Sequence, residues 1–194
     1  MARAFRAEEP SGDVLLVGRS GGPEERLVPE AGFALETVRI QGLNRDSLLK
    51  NLRLPAVLPA ALREGRRIVE SFQPDVVLGV GGYAMAPAVW GARSRRVPYV
   101  LAVFEPGGIA NRLFRRGAAA ACVSFAEDIA AFPTPRTVLT GYPIRPGFTP
   151  RKPRLPPRRL LVVGGSQGAR RLNETVWSAL DGLLERYEEV VHLT

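Results

Sequence analysis

LLVVGGSQGA, residues 160–169, runs from four apolar residues into a glycine-rich turn and then toward a helix. An apolar run of that length, bounded by glycine, suits a buried parallel strand. Glycine lets a backbone approach a ligand closely, and the first turn of a helix offers unpaired N–H groups to an anion. Ser166 either caps the helix or donates its hydroxyl to a phosphate. The same spacing also makes a tight strand-to-helix turn that holds nothing, and spacing alone leaves both readings open. The helix is expected from about Ala169 to Arg186, followed by a strand at Val190–Leu193.

The same alternation fills the chain upstream. Strands are expected at Val14–Gly18, Ala34–Ile40, Val76–Val80, Tyr99–Phe104, Ala120–Phe125 and Thr137–Thr140. Helical segments are expected at Glu24–Pro29, around Leu58–Phe72, Pro87–Ser94, Ile109–Arg116 and Ala126–Phe132, and Met1–Phe5 reads as the tail of another. This βαβ order argues for a parallel sheet with helices on both faces. Pro146, Pro150, Pro153, Pro156 and Pro157 then mark a stiff linker over residues 146–157. Two domains follow, 1–145 and 158–194, the second too short to bury a useful core. The chain therefore reads as a piece of something longer.

Two further glycine turns stand at expected strand ends. Gly79-Val-Gly-Gly-Tyr83 follows one strand, at the place where open α/β sheets gather ligands; its alternative is a pair of helix-packing glycines. Gly141-Tyr-Pro-Ile-Arg145 follows another. An arginine there suits bidentate contact with a diphosphate, or is simply a solvated surface cation.

Composition narrows the classes. The 194 residues are 45% hydrophobic, 24% charged and 7% aromatic, which excludes collagen-like, mucin-like and wholly disordered chains. Cys122 is the one cysteine and His192 the one histidine, so neither a disulfide framework nor a zinc site of standard spacing forms. The apolar run Val76–Ala92 is broken by Gly79, Gly81, Gly82, Pro87 and Gly91, short of a membrane span. With no secretory leader apparent, a soluble, cytoplasmic setting is the default expectation. Net charge is +8, from 27 cations against 19 acids, and all but Lys50 and Lys152 of those cations are arginine. An anionic partner is one source of such an excess and a GC-rich genome another.

Asp75-Val-Val-Leu-Gly-Val-Gly-Gly-Tyr83, Gly-Tyr-Pro-Ile-Arg145 and Val-Val-Gly-Gly-Ser-Gln-Gly-Ala-Arg-Arg-Leu-Asn173 together resemble the MurG family of bacterial N-acetylglucosaminyltransferases, glycosyltransferase family 28. Glu25-Arg-Leu-Val-Pro29, Gly42-Leu43 and Ala110-Asn-Arg112 fit the same pattern in order, so the resemblance covers nearly the whole chain. It implies a GT-B-type pair of Rossmann-like domains, the amino-terminal one nearly complete here and the second truncated. It implies transfer of GlcNAc from UDP-GlcNAc to lipid I, an undecaprenyl-diphosphate-linked muramoyl-pentapeptide, in peptidoglycan synthesis. It also implies a peripheral place on the cytoplasmic face of the inner membrane, with no cofactor, no metal and no nucleic acid.

Carried over by position, the resemblance makes Arg145, Gly164, Gly165, Ser166, Gln167, Gly168 and Asn173 the donor-binding residues. Gly81, Gly82, Tyr83, Glu105 and Asn111 become the acceptor side. There are departures. The family's opening G-G-T-G-G-H loop is absent, and with it the histidine often proposed as base, so the catalytic base is unassigned. Ala102-Val-Phe-Glu105 stands where H-E-Q-N is expected, and a carboxylate at Glu105 repels a diphosphate. Tyr142 replaces the usual asparagine. Alone, the chain is expected to be inactive, and a non-catalytic remnant that binds UDP-sugar, lipid or a partner enzyme is the alternative reading.

Ser47–Arg67 mixes Leu48, Leu49, Leu52, Leu54, Val57 and Leu58 with Lys50, Arg53, Arg63, Arg66 and Arg67. Such a mixture suits an anionic lipid surface, each nearby cation adding about 1 kcal/mol. It equally suits a helix that buries its apolar stripe in the core. A nucleic-acid-binding module lacks support, with no aromatic-lined strand face and no helix-turn-helix pattern.

Overall fold

In the computed structural model, the described residues are 1–40, 54–104, 108–144, 147–149, 152, 155–165 and 169–193. They fall into two compact units, Met1–Pro143 and Ile144–Thr194.

The first unit runs α1 (Ala2–Glu8), β1 (Leu15–Arg19), α2 (Glu24–Glu30), β2 (Ala34–Val38), α3 (Leu54–Phe72), β3 (Val77–Gly79), α4 (Met85–Ser94), β4 (Tyr99–Val103), α5 (Ile109–Phe114), β5 (Ala120–Val123) and β6 (Thr137–Leu139). Short 3-10 turns at Arg115–Gly117 and Ala126–Ala131 flank β5. All pairings are parallel, but in two ladders: β1–β2, and β3–β4–β5–β6. Among the described residues, the expected sheet is thus interrupted between β1 and β3. Helix α4 nevertheless touches both strands. A helix about 10 Å across straddles strands no more than about two spacings of 4.8 Å apart.

The core lies on one side of the four-stranded ladder. Tyr99, Leu101 and Val103 of β4 and Ala121 and Val123 of β5 point to it, under Met85, Val89 and Ala92 of α4 and Phe114 of α5. Alternation along β3 turns Val76, Leu78 and Val80 to the opposite face, where they are exposed. Helices α3 and α4 cross through glycine. A Cβ on Gly65 would lie 2.2 Å from the Pro87 carbonyl oxygen, and one on Gly91 would lie 2.7 Å from the Gly65 carbonyl oxygen. Side chains cannot fit there, so the two backbones meet directly. The stripe expected on α3 divides: Ala61, Ile68 and Val69 are buried, while Leu58 and Phe72 are exposed. Residues 47–53 of the proposed lipid-facing stretch lie outside the described residues.

Tyr99 ties β4 to α5. Its hydroxyl donates to the Phe114 carbonyl at 2.8 Å, and its ring meets Phe114 edge-on at 6.3 Å. Burial pushes the phenol above its ordinary value, partly offset by the Arg93 charge. A raised folded-state value means that the contribution of this group is whole below the unfolded value of about 10 and is lost as pH rises through the folded one. Tyr99→Phe is therefore expected to cost about 1–3 kcal/mol at pH 7, because the Phe114 carbonyl loses its donor. The gap between the two proteins narrows above about pH 10. Urea titrations at both pH values check this, and a gap that widens in alkali contradicts it.

The second unit runs β7 (Arg159–Val163), α6 (Arg170–Ser178), α7 (Leu180–Arg186) and β8 (Glu189–Leu193), with β7 and β8 parallel. The single helix expected from Ala169 to Arg186 is two, broken at Ala179, whose φ of −102° and ψ of 3° leave the α region. Leu161, Val163, Val191 and Leu193 share one exposed face.

Candidate functional site

Because β3 to β6 are parallel neighbours, the loops after them share one edge of the sheet, the carboxyl edge favoured for ligands. The loop after β3 carries Gly81 and Gly82 at φ of 84° and 70°. An added Cβ at either would meet nothing within 4 Å, so it is left-handed geometry, not crowding, that calls for glycine. The Gly81 N–H donates to the Met85 sulfur at 3.2 Å, which folds the loop back onto α4. Tyr83 is 41% exposed beside it.

Asn111 lies on α5, which packs against α4, and it is 3% exposed. The helix therefore presents this side chain to the interior of the unit. Gly108, in extended conformation, starts α5. Glu105 lies outside the described residues.

Two departures from the family pattern touch each other. The Phe104 and Tyr142 rings stand 4.9 Å apart at 48°. They follow β4 and β6, and after β5, which lies between those strands, Ser124 donates both its hydroxyl and its N–H to the Val103 carbonyl. Tyr142 is 60% exposed, so the pair places an aromatic surface on the carboxyl edge. Sequence reasoning noted both residues singly and missed the contact, because their separation of 38 positions hides it.

In the second unit, Gly164 and Gly165 follow β7, with Gly165 at φ of 82°. Ala169, extended, caps the amino end of α6, whose Asn173 N–H returns to the Ala169 carbonyl at 2.8 Å. The first turn of this nine-residue helix thus opens at the carboxyl end of β7, an arrangement suited to an anion. Asn173 Oδ1 accepts from His192 Nε2 at 3.1 Å. Arg145, Ser166, Gln167 and Gly168 lie outside the described residues. Of the donor set, Gly164, Gly165 and Asn173 are among the described residues, the first two at the end of β7 and the third on α6. Among the described residues, no group of three His, Cys, Asp or Glu is placed to hold a metal ion.

The Glycosyltransferase family 28 N-terminal domain matches residues 1–120. A UDP-N-acetylglucosamine–N-acetylmuramyl-(pentapeptide) pyrophosphoryl-undecaprenol N-acetylglucosamine transferase of Syntrophotalea carbinolica is 39% identical over 187 residues, 94% of this chain and 52% of the relative. The transferase of the same description from Geotalea daltonii is 35% identical over 198 residues, 98% of this chain and 54% of the relative. The chain spans about half the length of the curated relatives it matches. A crystal structure of Acinetobacter baumannii MurG superposes with a TM-score of 0.66 at 25% identity, over 92% of this chain and 48% of that one. With the family matched over more than half its residues, and with parallel βαβ units to match, this chain belongs to glycosyltransferase family 28.

Proposed function

We propose that the chain is part of a transferase that moves GlcNAc from UDP-GlcNAc to lipid I, making lipid II for peptidoglycan. One observation carries this: a family 28 acceptor-side unit is followed by a strand–glycine–helix junction whose first turn bears Asn173. Relatives named for this reaction align along the whole length of the chain, the junction included.

The reaction inverts the anomeric centre. The acceptor 4-hydroxyl attacks C1 of GlcNAc, the bond from C1 to the UDP oxygen breaks, and a base takes the hydroxyl proton. The leaving diphosphate gathers negative charge. Backbone N–H groups at the start of α6 and the guanidinium of Arg145 are the groups of this chain suited to stabilise it. Ser166 adds a hydroxyl donor at the same turn. On the acceptor side, the Gly81-Gly82 loop leaves its backbone open to close approach beside Tyr83. The lipid tail of the acceptor sets the place of reaction at the cytoplasmic face of the membrane. Leu58, exposed on α3 with Arg63, Arg66 and Arg67, suits contact with anionic lipid there.

The test is a titration of UDP-GlcNAc into the chain, read on backbone amides. Saturable shifts at Gly164, Gly165, Ala169 and Asn173 are expected, and Arg145→Ala should weaken binding at least about tenfold. Nucleotide binding elsewhere, or none, removes the donor reading. A second reading, a remnant that binds without turnover, is favoured by the Phe104–Tyr142 contact, which puts aromatic rings where the family pattern is polar. Release of UDP in the presence of lipid I by the complete protein decides against it.

A further inference from the structure

His192 is the one histidine of the chain and sits on an otherwise apolar strand face. In register with Val162, it shares with Leu160, Val162 and Val190 the less exposed face of the β7–β8 pair. A polar ring there needs a partner, and it has one: Nε2 lies 3.1 Å from Asn173 Oδ1. A carbonyl oxygen only accepts, so Nε2 carries the proton and donates. The contact also sets which way the Asn173 amide faces. With Oδ1 held by the ring, the side of the amide turned away from His192 carries only N–H donors.

The position matters as much as the bond. His192 pairs with Val162, two residues before Gly164. Asn173 sits in the first turn of α6, just after the loop. The bond therefore joins β8, the strand paired with β7, to α6, the helix that follows the glycine turn.

We propose that His192 is a positioning residue for the sugar-nucleotide diphosphate: it locks Asn173 so that its N–H donors face the Gly164–Gly165 turn and the anion held there. The proposal rests on the donor reading above and adds a residue to it. His192 touches no reacting atom in this role and takes no proton from the acceptor.

The experiment compares the unsubstituted chain with His192→Leu, His192→Gln and Asn173→Ala, with UDP-GlcNAc as the probe. Glutamine places an amide N–H near the position of Nε2, whereas leucine fills the space without a donor. His192→Leu is expected to bind about tenfold more weakly and His192→Gln within about threefold of the unsubstituted chain, both with unchanged far-UV circular dichroism. A long-range 1H–15N spectrum near pH 8, above the ordinary histidine range, should show the ring proton on Nε2, and Asn173→Ala should turn that into a mixture of tautomers. The proposal is overturned if His192→Leu binds as well as the unsubstituted chain, if glutamine rescues nothing, or if the proton is on Nδ1. If the unsubstituted chain shows no saturable binding while the tautomer is as expected, it is the donor reading that fails, and the contact between His192 and Asn173 stands as a structural one.

Discussion

Gly65→Ala is expected to destabilise the first unit by about 1–3 kcal/mol, although alanine is the better helix former by up to about 1 kcal/mol. The reason is the crossing of α3 and α4. The new Cβ would sit 2.2 and 2.3 Å from the carbonyl oxygen and carbon of Pro87. Those are backbone atoms, so no rotamer change relieves the clash, and the helices must move apart by about 1 Å to reach ordinary contact of about 3.5 Å. Moving α4 lifts Met85, Val89 and Ala92 off β4 and β5. Gly91→Ala meets the Gly65 carbonyl oxygen at 2.7 Å and should cost a similar amount, with the double substitution less than additive because one separation relieves both. Gly182→Ala in α7 is the control: nothing lies within 4 Å of its added Cβ, so it should stabilise by about 0.5–1 kcal/mol. Urea unfolding of the four variants checks the contrast in sign. A stabilised Gly65→Ala would mean that the helices do not cross at these glycines.

Which parts of this fold a sequence can announce follows from the range of the forces involved. Periodicity and punctuation are local, so β4 is legible from Tyr99-Val-Leu-Ala-Val and α3 from its buried stripe, with ends displaced by a residue or a turn. The break at Ala179 is not legible, since the Leu172, Val176, Leu180 and Leu183 spacing continues through it. Nor does any local signal say that β1 and β3 do not pair, because strand order belongs to the whole sheet. The Gly65–Gly91 crossing is equally hidden: each glycine alone reads as a weak point in a helix, and only the packed pair gives the reason for it.

The site divides in the same way. The Gly81-Gly82 and Gly164-Gly165 turns are legible, because positive φ after a strand leaves a residue signature that is read in place. Asn173 is reached through a motif. His192 carries no such mark. Its meaning depends on parallel register, which sets it beside Val162 and within reach of α6, and register is invisible until β7 and β8 are paired. Phe104 and Tyr142 repeat the lesson in the first unit, as two separate departures from a pattern that turn out to be one contact.

Leu101→Ala should carry the largest cost in the chain, about 4–5 kcal/mol, near the top of the range for buried leucine. Leu101 is fully buried at the centre of the core. Its neighbours across the ladder, pointing to the same face, are Gly79 on β3 and Ala121 on β5. Neither has a side chain that can swing into the space left behind, and the Gly79 position already lies close to Leu101 Cδ2 and to Val89 of α4. The cavity therefore stays open, and the cost grows with its volume by about 24 cal/mol per Å3. Set against a typical total of about 5–15 kcal/mol, that brings the first unit near unfolding at room temperature. Leu101→Met, which keeps the volume, should cost less than about 1.5 kcal/mol. Val138→Ala, at an exposed position on β6, should change stability by no more than about 0.5 kcal/mol. Denaturant midpoints at constant slope give all three values. A loss below about 2 kcal/mol for Leu101→Ala would show that β3 and β5 close around the gap, and that the glycine and alanine flanking Leu101 are slack in the ladder instead of the walls of a fixed socket.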